Sequence, residues 1–352
     1  MIKNNFLIIL LSVLVLASCQ NDSIRPNVPI GLYENGYFVT NEGNFGTGNG
    51  SLSFIDDRGS VSNNIFAQTN SFSLGDVVQS MEIINEKAYI VVNNSSKVEV
   101  ANIDSMDYIT TIVGLSSPRY ILQVSDNKAY VSDWGIGGLQ VIDLNTNSII
   151  STISTGQGPE KMLIKDNKVF VCNVGGFGLE NTISVIDVNS DMLITNIIVG
   201  DKPNSIVEDA SGGIWVLAGG NTEYDANWNV IAETPGELTK INNQTNSVEE
   251  SIVFEVGDHP KDLIIDENGN KLYFSNGSWS KAVYEFDINN NSVSNNPIIS
   301  KSFYSLAFND NHIYGTDVKD YVQNGWSYKY NTSGLIIDSS EVGIRPGGYC
   351  FR

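Results

Sequence analysis

Histidine and cysteine are scarce in this chain, with two of the one and three of the other in 352 residues. His259 precedes Pro260 and His312 lies in a separate polar turn, so the two are not expected to share a metal ion. No Gly-x-Ser-x-Gly, His-Glu-x-x-His or Cys-x-x-Cys run occurs. The sequence thus offers no motif for nucleophilic hydrolysis, zinc proteolysis or dithiol redox chemistry. No catalytic residue, resident metal or cofactor is expected. Cys172 and Cys350 fall in well-separated expected strands, which argues against a disulfide and for small apolar core residues. Basic residues are also few: 20 Lys and Arg against 40 Asp and Glu, a net charge of −20. Such a surface repels phosphate backbones and excludes nucleic acid as the expected partner. Long apolar runs are missing apart from residues 6–15, too short for a comfortable membrane span. With Lys3 before it and small residues after it, that run reads as a signal peptide over residues 1–18.

What is present is a repeat. An Asp or Asn closes a short apolar strand at Asp56, Asn102, Asp143, Asp187, Asn242, Asp287 and Asn331. Each is followed by a polar turn and a further apolar strand. An aromatic residue marks the strand just before it, the second of each unit, at Tyr89, Tyr130, Phe170, Trp215, Tyr273 and Tyr314, with Tyr37 as the first member. These recur roughly every 40 residues, the length of a four-stranded antiparallel unit. A longer step after Trp215 places an insertion at residues 219–237. Seven Asx positions predict an all-β, seven-bladed β-propeller over residues 36–352. Residues 19–35, polar and carrying Pro26 and Pro29, read as a flexible tether. The chain ends on a segment like the start of a blade and begins on one like a second strand. The C-terminal strand is therefore expected to pair with the N-terminal blade and close the ring.

Leu16-Ala17-Ser18-Cys19 resembles a bacterial lipobox, which implies lipidation of Cys19 and attachment to a membrane through the lipid anchor only. Gly-x-x-Pro before the innermost strand (starting at Gly156, Gly200, Gly257 and Gly343) and the Ile-Asp strand ends resemble the YncE-like propeller family. Asn41-Glu42-Gly43-Asn44-Phe45-Gly46, together with the lipobox, is similar to Bacteroidetes propeller lipoproteins of the BtuG type. That resemblance implies an outer-membrane protein, at the cell surface or in the periplasmic leaflet. It also implies capture of cobalamin (vitamin B12) for a TonB-dependent outer-membrane transporter.

In a propeller, the loops between second and third strands share a face with the turns between blades. Six of the seven blades place a large ring there: Phe45, Trp134, Phe177, Trp228, Trp279 and Trp326, with Tyr224 and Tyr321 added. These rings, with Asn44, are the candidate ligand surface, since binding hot spots favour Trp, Tyr and Arg. Packing between loops is the competing role. Asn94, Asn173, Asn276 and Asn324 offer amides to a corrinoid-like ligand. Arg119, Lys261 and Arg345 stand near inter-blade turns and are candidates to meet an anionic group. Glu42, Asp133 and Asp317 are the acids that a calcium site of the lactonase type would need. The chain is thus expected to bind a small molecule rather than transform it. The alternatives are a metal-dependent lactonase-like or quinoprotein-like enzyme, and a protein–protein scaffold.

Overall fold

The computed structural model describes residues 31–277 and 281–352. The expected signal peptide, Cys19 and Trp279 lie outside the described residues. Seven four-stranded antiparallel sheets follow one another as the blades of a propeller. Blade 2 is typical: Val78–Ile84 innermost, then Lys87–Val92, Lys97–Asn102 and Tyr108–Ile112. Blades 3 and 4 repeat this order from Pro118 and from Pro159. Blades 5, 6 and 7 begin at Pro203, Lys261 and Leu306. In blade 1 the inner strand is Pro346–Phe351, paired with Gly36–Asn41, so the C-terminal strand closes the ring as expected. Proline begins several inner strands because a strand's first residue tolerates the missing N–H.

Strand alternation builds the core between blades. The aromatics that mark the repeat, from Tyr89 to Tyr314, are all buried. Each sheet is apolar on both faces in its middle strands and is packed against a neighbouring blade on each side. Cys172 and Cys350 are buried free thiols. Tyr33, placed by sequence in the tether, is instead packed on Phe38 and Phe54.

The recurring Asx residues are turn formers in every blade. The side-chain Oδ1 of each accepts a backbone N–H two to four residues on, as in Arg58→Asp56, Asp104→Asn102 and Asn145→Asp143. Ser190→Asp187, Gln244→Asn242, Asn289→Asp287 and Ser333→Asn331 complete the set. A second Asx four residues later sits at positive φ in Asn147, Asp191, Asn246 and Asn291. Asn and Asp tolerate that conformation best among non-glycine residues. Some of these also tie blades together: Tyr89 donates to Asn147 at 2.8 Å, and Tyr130 donates to Asp191.

The predicted insertion in blade 5 is a separate hairpin, Asn221–Tyr224 paired with Val230–Thr234. Its position places it on the face of the second-to-third-strand loops, beside the channel.

Candidate functional site

The inner strands surround a cavity of about 770 Å³ at the mouth of the central channel. Its walls combine Trp134, Tyr304 and Leu122 with a dense set of charges from the starts of the inner strands. That volume is within the range of small-molecule sites.

Two of the three candidate cations are held by carboxylates rather than free. Arg119 makes a bidentate pair with Glu160 (2.9 and 2.7 Å), donates to Gln79 at 2.6 Å and lies 4.2 Å from the Trp134 ring centroid. Burial opposes its charge, but Glu160 outweighs that and raises the guanidinium further above its ordinary value. Arg345 is 3.1 Å from Glu42 and lies over the rings of Tyr304 and Tyr321. Glu42 also accepts from the Tyr304 hydroxyl at 2.9 Å. Burial pushes the Glu42 carboxyl up against these partners. The third candidate, Lys261, donates to the Tyr304 carbonyl at 2.6 Å.

The second-strand ends carry another Asx set, and it braces loops. Asp133 accepts the N–H groups of Ser116 and Ser117, both at 2.7 Å. Asn173 donates to Ser184 at 2.9 Å, Asn276 to Asp258 at 3.0 Å, and Asp317 accepts from Lys301 at 2.7 Å. Glu42, Asp133 and Asp317 are therefore each engaged separately. Among the described residues, no group of three or more His, Cys, Asp or Glu side chains gathers to hold a metal ion.

The candidate rings divide into two sets. Phe45, Phe177 and Trp228 are 72%, 98% and 82% exposed, and Tyr224 and Tyr321 are about half exposed. Tyr224 and Trp228 meet at 6.0 Å on the blade 5 hairpin. Trp134 is instead packed between Arg119 and Phe177, and Trp326 lies within strand Asn324–Asn331, paired with Asp317 and Glu341. Asn44 sits in a loop held by Asn49 and Thr47. A glycine allows close approach at the rim: a Cβ on Gly158 would stand 2.0 Å from the Gly176 nitrogen, and its φ is +61°.

Sequence reasoning missed two lining residues, Glu82 and Lys281, and left Lys202 and His259, which sit at inter-blade turns, outside the candidate site. Glu82 faces the channel with no ion pair among the described residues, and burial by surrounding protein pushes its carboxyl up to about 7 although channel water reaches it. Lys202 and Lys281 also line the cavity. Lys281 donates to the His259 carbonyl at 2.6 Å, and burial, then nearby Lys261, lowers its ammonium below the usual range. His259 joins the mouth to the hairpin: Nδ1 donates to the Gly219 carbonyl at 2.7 Å. Its Nε2 is 2.8 Å from Glu233 and 3.0 Å from Thr222. The position of Glu82, three residues after the Gln79 that binds Arg119, was the available signal. Trp134 Nε1 and Asp262 Oδ2 are buried lining atoms without a hydrogen-bond partner among the described residues, a donor and an acceptor.

These features define a seven-bladed propeller with a charged, aromatic-rimmed site at one channel mouth. Residues 35–339 match the family described as Domain of unknown function (DUF5074), and the chain belongs to it. No curated protein matches. Among solved structures, it is similar to a quinonprotein alcohol dehydrogenase-like protein from Bacteroides thetaiotaomicron VPI-5482. The identity is 15% and the TM-score 0.66, over 91% of this chain and 78% of that one. It is also similar to the periplasmic gluconolactonase of Pseudomonas aeruginosa (11%, 0.64, 90% and 98%). A third is hydrazine synthase of Kuenenia stuttgartiensis (12%, 0.62, 78% and 91%). Three names with three chemistries share the fold, and the likeness extends to the fold alone.

Proposed function

We propose that the protein captures a small molecule at the channel mouth and passes it on unchanged, as a lipoprotein of the cell envelope anchored through Cys19. The cavity of about 770 Å³, lined by Trp134 with the exposed ring of Phe177 packed 5.9 Å from it, carries this reading. A flat ligand buries one face on such rings while polar groups at its edge meet the charges below. A corrinoid, flat and amide-rimmed, is the first candidate, with a TonB-dependent transporter of the outer membrane as the receiving partner. The BtuG-type resemblance of residues 41–46 and the lipobox support this choice.

Titration of the chain from Gln20 onward, which retains every described strand, tests the reading. Cobalamin is expected to quench tryptophan fluorescence saturably and to release heat. A Phe177→Ala, Trp228→Ala variant should bind about tenfold more weakly or worse. Absence of both quenching and heat removes the corrinoid. Unchanged affinity in the double variant removes the aromatic rim. An enzyme of the lactonase or quinoprotein type is the second reading, favoured by Glu82, a carboxyl poised near neutrality in a cleft. Lactone turnover that disappears in Glu82→Gln would establish it instead.

A further inference from the structure

Charge at the mouth is unevenly divided. On one side, Arg119 is matched by Glu160 and Arg345 by Glu42. On the side formed by blades 4 to 6, Lys161, Lys202, Lys261 and Lys281 line the cavity with two carboxylates, Glu160, whose two oxygens both accept from Arg119, and Asp262. Asp262 lies 3.8 Å from Lys161 and 3.5 Å from Lys261, so one acid is shared by two lysines. Among the described residues Lys281 bonds only a backbone carbonyl, and Lys261 bonds the carbonyl of Tyr304 beyond its distant pair with Asp262. Lys202 is half-buried, and its ammonium has neither a carboxylate nor a hydrogen-bond partner among the described residues.

The nearby acids are otherwise occupied. Asp258 accepts from Asn276, Asp201 from Thr234, Glu237 from Thr239, and Glu233 faces His259. Glu82 stands on blade 2, a different part of the ring. A protein of net charge −20 thus holds four of its 20 basic residues in a single concave wall, where Asp262 is the one lining acid not already taken by Arg119. Like charges brought together at partly buried positions are unfavourable unless an anion joins them. Burial, and then Lys261, lowers the Lys281 ammonium, whereas at Lys161 burial is outweighed by Tyr120, Asp262 and Glu160, which raise it, so the unrelieved charge lies at the blade 6 end of the wall. A concave, low-dielectric wall also focuses the field on whatever enters.

We propose that Lys202, Lys261 and Lys281, backed by Lys161, form an anion subsite for a small molecule carrying a phosphate or paired carboxylates. Ammonium groups act as point charges with several rotatable donors, which suits a tetrahedral phosphate or flexible carboxylates better than a single planar group. This rests on the capture reading, because the subsite is one wall of the same cavity. The acidic exterior sets the selectivity: it repels large polyanions while the mouth accepts a small one.

The experiment is calorimetric titration of the purified chain at low ionic strength with inorganic phosphate, with citrate and, separately, with cobalamin. Phosphate or citrate is expected to bind saturably at one site, and the tighter of the two names the anionic group. Lys202→Gln and Lys281→Gln should each weaken that binding about tenfold or more. Lys319→Gln, beside Trp326 on the rim, should leave it unchanged. Added salt should weaken binding in the wild type and much less in the two variants. No saturable heat with either anion, or equal affinity in the lysine variants, overturns the subsite. Thermal melts establish that each variant is folded, and a Lys202→Arg variant keeps the charge where a glutamine variant fails to fold. Cobalamin binding that persists in Lys202→Gln, without anion binding in the wild type, leaves the capture reading standing and removes only the subsite. Anion binding without cobalamin binding keeps the subsite and removes the corrinoid as its ligand.

Discussion

At the scale of single residues, Glu82 has the clearest consequence. Its folded pKa of about 7 lies above the ordinary 4.5 because the surrounding protein desolvates it, and among the described residues no cation is paired with it. Between these values the folded state holds a proton that the unfolded state has released. Stability therefore falls as pH rises through that window, being fully present below about 4.5. Glu82→Gln removes the dependence. Its melting temperature is expected to match the wild type at pH 5 and to exceed it at pH 8. A variant equally destabilised at both pH values would show that the carboxyl is not desolvated. The two Asx sets show what a sequence reveals at this scale. Asp143 finds its partner at Asn145, so its turn role was legible from local pattern alone. Arg119 finds Glu160 in the next blade and Arg345 finds Glu42 across the chain ends. No local spacing reports such pairs, so both arginines looked free in the sequence and are not.

Among the elements, the blade 5 hairpin departs most from the repeat, and its place in the chain was evident from the long interval between Trp215 and Tyr273. Its attachment was not, because it depends on a side chain from the following inter-blade turn. In blade 5 the second strand ends on Ala218, where five other blades end on Asn or Asp and blade 2 has Asn93 just beyond Val92, so the usual brace is missing. His259 takes that place by bonding Gly219 while reaching Thr222 and Glu233 in the hairpin. The hairpin itself buries little: Tyr224, Trp228, Val230 and Ile231 are all more than half exposed. Its position therefore relies on these few polar bonds and on those of Thr234 and Gly220 to Asp201, each worth about 1 kcal/mol. His259→Ala is expected to leave the blades folded, lowering the melting temperature by no more than about 4 °C. Limited chymotrypsin cleavage at Tyr224 and Trp228 should become several times faster. Unchanged cleavage would mean that the hairpin is held by something other than His259. The exposed rings on this element also explain why ring type alone did not sort the site. Trp134 and Trp228 read alike in sequence, yet one is wedged under Arg119 and the other projects 82% exposed.

The molecule as a whole depends on one closure. Six blades take all four strands from a continuous stretch of chain, while blade 1 joins the two ends. Tyr37 faces Phe351, Phe38 faces Cys350, and Val39 faces Tyr349 in that pairing. The rings of Tyr349 and Phe351 pack on Tyr37 of blade 1 and on Tyr314 of blade 7, so the strand also joins first blade to last. Arg352 donates to the Tyr33 carbonyl at 2.7 Å, fixing the segment that precedes the first strand. Removing residues 343–352 strips the backbone partners from one edge of Gly36–Asn41, opens a gap at Cys350 in the core and leaves Glu42 buried without Arg345. Each loss costs roughly 1–3 kcal/mol or more, and together they are comparable with the 5–15 kcal/mol by which a domain is stable. The truncated chain is expected to lose cooperative thermal unfolding. A rearranged chain separates closure from mere deletion. The C-terminal end of the inner strand lies beside the start of Gly36–Asn41, with the Arg352 N–H 3.3 Å from the Gly36 carbonyl. Residues 343–352 placed ahead of residue 36 through a short turn would make blade 1 an ordinary continuous blade. Circular dichroism melts should then show cooperative unfolding restored. A truncated chain that melts at the wild-type temperature, or a rearranged one as unstable as the truncated chain, would show that pairing between the chain ends is not what holds the ring shut.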